Sequence, residues 1–326
     1  MHEISYITKD GKKVIIDKDT YNKLFETNDI DWSEKIIKGD MPGDKISIND
    51  DHIKKAQLIL PRLLELLTPI INMQPNHRAV IAVCGGSGVG KSEIASLLSY
   101  YLTSIGLASY TLSGDNYPHR IPKYNDAERL RIFRQWGIQG LISHGEYGKE
   151  VTSILKELQA SDQDANPEYI NEYPWLSIYR SAGINGLKSY LGTEKEINFT
   201  ELNNIISLFK NGADSILLRR MGREESDLWY DAVDFSDKNV IIIEWTHSNN
   251  DNLQGVDIPI LLNSTPEETL AHRRARNRDK GIDSPFTSIV LDIEQKLLIS
   301  QAAKARIIVA KSGDFLSYDD LMRIMI

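Results

Sequence analysis

The sequence predicts an α/β protein: a doubly wound parallel sheet of about five strands with helices on both faces. Three observations predict it. Short, continuously apolar runs (AVIAVC at 79–84, NVIIIEW at 239–245, IPILLN at 258–263) have the pattern of strands buried on both faces. Longer segments with helical apolar spacing alternate with them, as in right-handed βαβ crossovers. A glycine-rich turn, CGGSGVGKSE at 84–93, joins the first of these strands to a helix, where open α/β sheets place phosphate.

In chain order, residues 1–75 form an N-terminal appendage. ISYITKDGKKVIID (4–17) alternates around Asp10-Gly11 and predicts a hairpin. HIKKAQLILPRLLELLTPIINM (52–73) predicts a helix that Pro61 should kink or split. No motif for chemistry lies here, so packing, capping or self-association into a homodimer is expected of it. The second block, residues 76–326, opens with the strand 79–84, the glycine turn, the helix EIASLLSYYLTSIG (93–106) and the strand ASYTLSGD (108–115). Residues 125–198 predict a helical insertion. After it come the helix ELNNIISLFKNG (201–212), the strand SILLRR (215–220), the strands 239–245 and 258–263, a charged helix (267–281), a further helix and a last strand, ARIIVAK (305–311).

Composition bounds the partners. The 326 residues carry a formal net charge of -8, which opposes a nucleic-acid coat or an anionic membrane surface, so neither is an expected partner. No apolar run reaches the length of a membrane helix, and no signal core opens the chain. The single cysteine, Cys84, can form no intrachain disulfide. A cytoplasmic location is the expectation.

The glycine turn carries the chemistry. Gly85, Gly86, Ser87, Gly88, Val89, Gly90, Lys91 and Ser92 satisfy G-x-x-x-x-G-K-[ST], in which backbone N–H groups encircle phosphate oxygens. Lys91 reaches the outer phosphates and Ser92 offers a hydroxyl to Mg²⁺. The phosphate is therefore that of a nucleoside triphosphate. The chain has no DxxG after this turn and no NKxD, which a GTPase needs; the DxxG at Asp40–Gly43 precedes the turn. LSGGQ, needed by a transporter ATPase, is absent, since Leu112-Ser113-Gly114 continues as Asp115-Asn116. Small-molecule kinases and miscellaneous ATPases remain. Asp115, at the carboxyl end of the second strand, has the position of a general base for an attacking hydroxyl, and equally of a turn or helix-cap aspartate.

SGDNYPHRIPKYN (113–125) resembles the segment after the second strand in the uridine kinase, phosphoribulokinase and pantothenate kinase family, where an Asp, then Asn or Ser and an aromatic, opens the acceptor site. Asp115, Asn116 and Tyr117 match it. The resemblance resumes at FTELNNIISLFKNGADSILLRR (199–220), at NVIIIEW ending near Glu244, at the arginine-rich helix and at ARIIVAKSGDF, in the family's order. It covers about half of the chain. It implies a P-loop kinase fold, ATP with Mg²⁺, and transfer to a hydroxyl, with Asp115 as base. Glu244 would support the metal or the acceptor, although Trp245 stands where the family usually has Gly. Arg273 and Arg276, three apart on one helical face, match lid arginines that would stabilise the moving phosphoryl group and exclude water.

For the acceptor, Arg219 and Arg220 (with Arg223) suit a carboxylate or phosphate, or else pair with Glu224, Glu225 and Asp227. Tyr117, His119, Arg120 and Arg180 are further acceptor-site candidates; the insertion's tyrosines and Trp175 serve as its own core or as acceptor walls. The expected function is an ATP-dependent kinase acting on a small anionic metabolite. The alternatives are a nucleoside kinase and an ATP-binding switch that phosphorylates no acceptor.

Overall fold

The computed structural model describes residues 4–7, 11–25, 32, 36, 39–44, 46–222, 224, 227–276 and 284–325. Its centre is a five-stranded, all-parallel sheet: β3 (Ala79–Gly85), β4 (Ser109–Ser113), β7 (Val240–Glu244), β8 (Ile258–Leu262) and β9 (Ile307–Val309), in spatial order β4-β7-β3-β8-β9. Successive residues point to opposite faces. Ala79, Ile81 and Val83 join one apolar core and Val80 the other; Val240 and Ile242 face the first, Ile241 and Ile243 the second. Both faces are covered, which is why the strands read as continuous apolar runs.

The first core is closed by α2 (Asp50–Met73) and α3 (Lys91–Ser104), through Leu60, Leu63, Leu64 and Leu67 of α2 and Ile94, Leu97 and Leu98 of α3. The N-terminal hairpin, β1 (Ile4–Ile7) with β2 (Lys13–Ile16), joins the same core through Tyr6, whose hydroxyl donates to the Ile105 carbonyl. Burying each such leucine stabilises the fold by about 2 kcal/mol. A short helix α1 (Lys18–Leu24) follows, capped by Asp17, whose carboxylate accepts from Thr20 N.

Helix α2 is one helix through Pro61 and Pro69, so the split that the sequence allows at Pro61 does not occur. Its buried leucine face holds the helix together across the missing N–H, and the Gln57 carbonyl that Pro61 cannot serve accepts from the Tyr21 hydroxyl at 3.5 Å. Asn49 and His52 form a capping box at its start.

On the second face lie α7 (Phe199–Lys210) and a two-stranded antiparallel ribbon, β5 (Ser215–Met221) with β6 (Leu228–Asp234). SILLRR therefore stands outside the main sheet. Its Ile216 and Leu218 are buried while Ser215 and Leu217 are exposed, the alternation of a one-sided strand. Its partner β6 is almost wholly exposed, Leu228, Trp229 and Tyr230 included, so its apolar residues follow no buried alternation. The buried Arg78 pins this layer to β3, donating to the carbonyls of Phe209, Ala213, Phe235 and Lys238.

Between β4 and α7 stands the insertion, with helices α4 (Pro122–Ser143), α5 (Lys149–Ala160) and α6 (Leu176–Lys188). It has its own core (Phe133, Leu155, Leu158, Tyr179, Leu187), shared with Ile289, Val290 and Ile293 of α9 (Pro285–Ser300). The charged helix is α8 (Pro266–Arg276), and α10 (Tyr318–Met325) closes the chain. Among the described residues no helix is long and apolar enough to cross a membrane.

Candidate functional site

The phosphate loop leaves β3 at Gly85 and enters α3 at Lys91. Two of its glycines are required by what surrounds them. A Cβ on Gly85 would stand 2.6 Å from the Leu262 carbonyl oxygen of β8, a backbone atom that cannot yield. Gly88 has φ +81°, and a Cβ there would meet Arg273 Cγ at 2.9 Å. The stem of Arg273 thus lies across the loop, and its Nη2 donates to the Pro266 carbonyl at 2.8 Å while its buried Nε has no partner among the described residues. Arg276 ends α8, and its side chain lies outside the described residues. Lys91 Nζ folds back onto the Gly86 carbonyl at 3.0 Å, inside the loop it would leave to meet a phosphate. Ser87 and Val89 complete the turn, with Val89 packed into the first core.

Glu244 ends β7, in register with Val83 of β3 and Ser113 of β4, so it emerges between the loop and the Asp115 turn. Ser92 Oγ donates to Glu244 Oε2 at 3.0 Å. Burial, reinforced by the charge of Asp115, pushes the Glu244 carboxyl well above the ordinary carboxylate range; Ser113, Lys91 and Ser92 pull the other way. Trp245 does not disturb the strand: its N–H donates to the Val83 carbonyl, and its ring lies over Gly114, where a Cβ would come within 2.1 Å of it.

Asp115 sits in a single 3-10 turn, Gly114–Asn116, directly after β4, and is exposed. Its N–H donates to Ser113 Oγ at 3.2 Å, the cap that sets this turn. The structure thus brings Lys91, Ser92, Glu244 and Asp115 to the carboxyl edge of three adjacent strands. A hydroxyl and a carboxylate in contact beside a phosphate loop are hard oxygen donors of the kind Mg²⁺ takes. Among the described residues no three His, Cys, Asp or Glu cluster as a metal cage, and a phosphate-bound magnesium needs none.

The acceptor candidates are placed differently from one another. Tyr117 turns its ring into the second core, fully buried, where the sequence offers it to an acceptor; among the described residues its hydroxyl has no hydrogen-bond partner. His119 and Arg120 are held by the end of the insertion, through His119 Nε2 to the Glu194 carbonyl at 2.9 Å and Arg120 Nη1 to the Tyr190 hydroxyl at 3.1 Å. Arg180 donates to the Ala165 carbonyl inside the insertion at 2.8 Å. Both β5 arginines face carboxylates from distant segments: Arg219 meets Glu201 at 3.8 Å, and Arg220 meets Asp40 at 2.8 Å and Asp231 at 3.1 Å.

One polar network escaped the sequence reading. Glu196 accepts from Arg129 Nε at 2.7 Å, Asn125 Nδ2 at 2.9 Å and Gly192 N at 2.6 Å, and Arg129 reaches Glu294 at 3.7 Å. It locks the insertion onto α9 beside the phosphate loop. His247 stands next to it, and burial depresses its imidazole to about 4, with Glu196 opposing and Arg129 and Lys91 assisting. No local signal announces these residues, since Arg129, Glu196 and Glu294 lie in three segments far apart in the sequence and each stands among other charges.

No family model matches the chain. Over 252 residues it is 38% identical to the bifunctional alpha-galactosidase/sucrose kinase AgaSK of Mediterraneibacter gnavus, an alignment covering 77% of this chain and 22% of that one. Over 119 residues it is 29% identical to an adenylyl-sulfate kinase of Prochlorococcus marinus, covering 35% and 59% of the two chains. The chain thus spans only part of each relative's length. Among solved structures, D-glycerate 3-kinase of Cryptococcus neoformans is similar at 12% identity and a TM-score of 0.43, covering 83% of this chain and 99% of that one.

Proposed function

We propose that this chain is an ATP-dependent phosphotransferase of the P-loop kinase type, moving the γ-phosphoryl group of ATP to a hydroxyl of a small, neutral, sugar-like metabolite. The observation that carries the reading is the meeting of the phosphate loop, the Ser92–Glu244 contact and the exposed Asp115 at one sheet edge. The similarity to a protein named as a sucrose kinase supports it.

Ser92 and Glu244 would hold Mg²⁺, which neutralises charge on the β- and γ-phosphate oxygens when bound. The loop N–H groups and Lys91 bind the triphosphate. Asp115 takes the proton of the acceptor hydroxyl as that oxygen bonds to phosphorus and the bond to ADP breaks. Arg273, lying over the loop, shields the phosphoryl group from water that would otherwise compete with the acceptor.

The acceptor class follows from how the arginines are used. The sequence offers Arg219 and Arg220 to an anion, but Glu201, Asp40 and Asp231 face them, and Glu196 and Glu294 face Arg129. Charge-balanced pairs of this kind bind hydroxyls through both donors and acceptors and give an anion little net attraction. The test is Mg²⁺-dependent ADP release with separate pools of neutral sugars, sugar phosphates, hydroxy acids and nucleosides. Stimulation by neutral sugars is expected. Stimulation only by sugar phosphates or hydroxy acids would overturn the neutral acceptor, and stimulation by none would overturn the kinase.

A further inference from the structure

The N-terminal segment reaches the acceptor side of this edge. A Cβ on Gly39 would stand 3.7 Å from Glu244 Oε1 and 3.8 Å from Thr111 Cγ2, so the chain here runs against the carboxyl ends of β4 and β7. The next residue, Asp40, buries its carboxylate, leaving 7% of the side chain exposed. Four donors converge on it. Oδ1 accepts from Ser113 N at 2.7 Å and from Asn116 Nδ2 at 3.1 Å; Oδ2 accepts from the Tyr110 hydroxyl at 3.0 Å and from Arg220 Nη1 at 2.8 Å. Burial raises the carboxyl's pKa, while Arg220, Ser113 and Tyr110 oppose that.

Each of these donors leads to the reacting edge. Ser113 closes β4 and caps the turn of Asp115. Asn116 follows Asp115 in that turn, and its Oδ1 accepts from Met221 N of β5 at 2.9 Å. Arg220 is one of the two acceptor-side arginines and also binds the Tyr110 hydroxyl at 3.0 Å. One carboxylate therefore joins the Asp115 turn, the β5 ribbon and the N-terminal segment. A strap needed only to hold residues 39–44 in place has no reason to bond Ser113 and Asn116, which stand on either side of Asp115.

We propose that Asp40 is a positioning residue for phosphoryl transfer: it fixes the Asp115 turn relative to Arg220, which makes the N-terminal segment a wall of the acceptor site. The proposal rests on the kinase reading above. Asp40 touches neither phosphate nor acceptor; it acts through Asp115, and a displacement of about 1 Å there costs on the order of 100-fold in rate.

The experiment compares full-length wild type with Asp40→Asn, which keeps the shape but loses the charge and one acceptor position. Ile36→Ala, in the first core of the same N-terminal block, serves as the stability control. Melting temperature, ATP affinity, acceptor KM and kcat are measured for each with the stimulating pool. Asp40→Asn is expected to hold ATP affinity within about twofold, to lower kcat about 10- to 100-fold and to raise the acceptor KM. Ile36→Ala should lower the melting temperature and leave kcat within about twofold. Equal kcat losses in both variants, or wild-type kinetics in Asp40→Asn, would overturn the proposal. Should Asp40→Asn fail to fold, Asp40→Glu, with the charge kept and the reach lengthened, is read by the same criteria. Wild type that no pool stimulates would defeat the kinase reading instead, a separable result.

Discussion

The two halves of this sheet edge, the Gly85–Ser92 loop and the surroundings of the Asp115 turn, are built on opposite plans. On the loop side one continuous stretch, Gly85 to Ser92, would supply the groups for a phosphate, mostly as backbone N–H. Around the Asp115 turn, where an acceptor would sit, the polar groups come from separate places: the 113–116 turn itself, Arg219 with Arg220, and, behind them, Asp40 with Tyr110. A phosphate is the same in every substrate, so a backbone nest can serve it. A particular acceptor must be read by side chains, and side chains converge only after folding.

The largest expected break in this comparison is Lys91→Ala. It removes the cation of the loop side and should lower acceptor-stimulated turnover about 1,000-fold or more, several kcal/mol of transition-state stabilisation, in a steady-state ADP assay. Glu196→Ala acts through packing. It leaves the buried Arg129 without its 2.7 Å partner and should destabilise the protein by about 3 kcal/mol, read as a lower melting temperature.

His247 sharpens the comparison through pH. Its folded-state pKa of about 4 lies below the ordinary 6.5, so the folded state favours the neutral ring. Its contribution is complete above pH 6.5 and is lost as pH falls from about 6.5 to about 4, on the order of 1–3 kcal/mol at the end of that range. Denaturant midpoints across this window should fall less steeply in His247→Gln. The smallest effect concerns Cys84. Burial pushes its thiol up to about 12, and Sγ lies 3.3 Å from the Ile260 carbonyl, so an alkylating reagent should leave it unmodified until denaturant opens the sheet.

How much of this could be read from the sequence follows the same divide. The buried strands, the loop, Asp115 and Glu244 were readable because each depends on neighbours within a few residues. Pro61 does not split α2, because the leucine face of the helix outweighs the lost hydrogen bond. Strand β6 stayed hidden because its apolar residues Leu228, Trp229 and Tyr230 run consecutively and face solvent instead of alternating with polar ones. Tyr117 matched a motif, yet the second core claims its ring. Asp40 was unreadable in principle: its partners lie 70 to 180 residues away, and the only local pattern it belongs to, a DxxG ahead of the loop, points to a different chemistry.

In the proposed reaction the exposed carboxylate of Asp115 receives the proton of an acceptor hydroxyl at this edge. The most direct test is acceptor-stimulated ADP release by wild type and Asp115→Asn, with ATP affinity measured alongside. The account predicts unchanged ATP affinity and a loss of stimulated turnover of about 100- to 10,000-fold. Stimulated turnover within about threefold of wild type would contradict it.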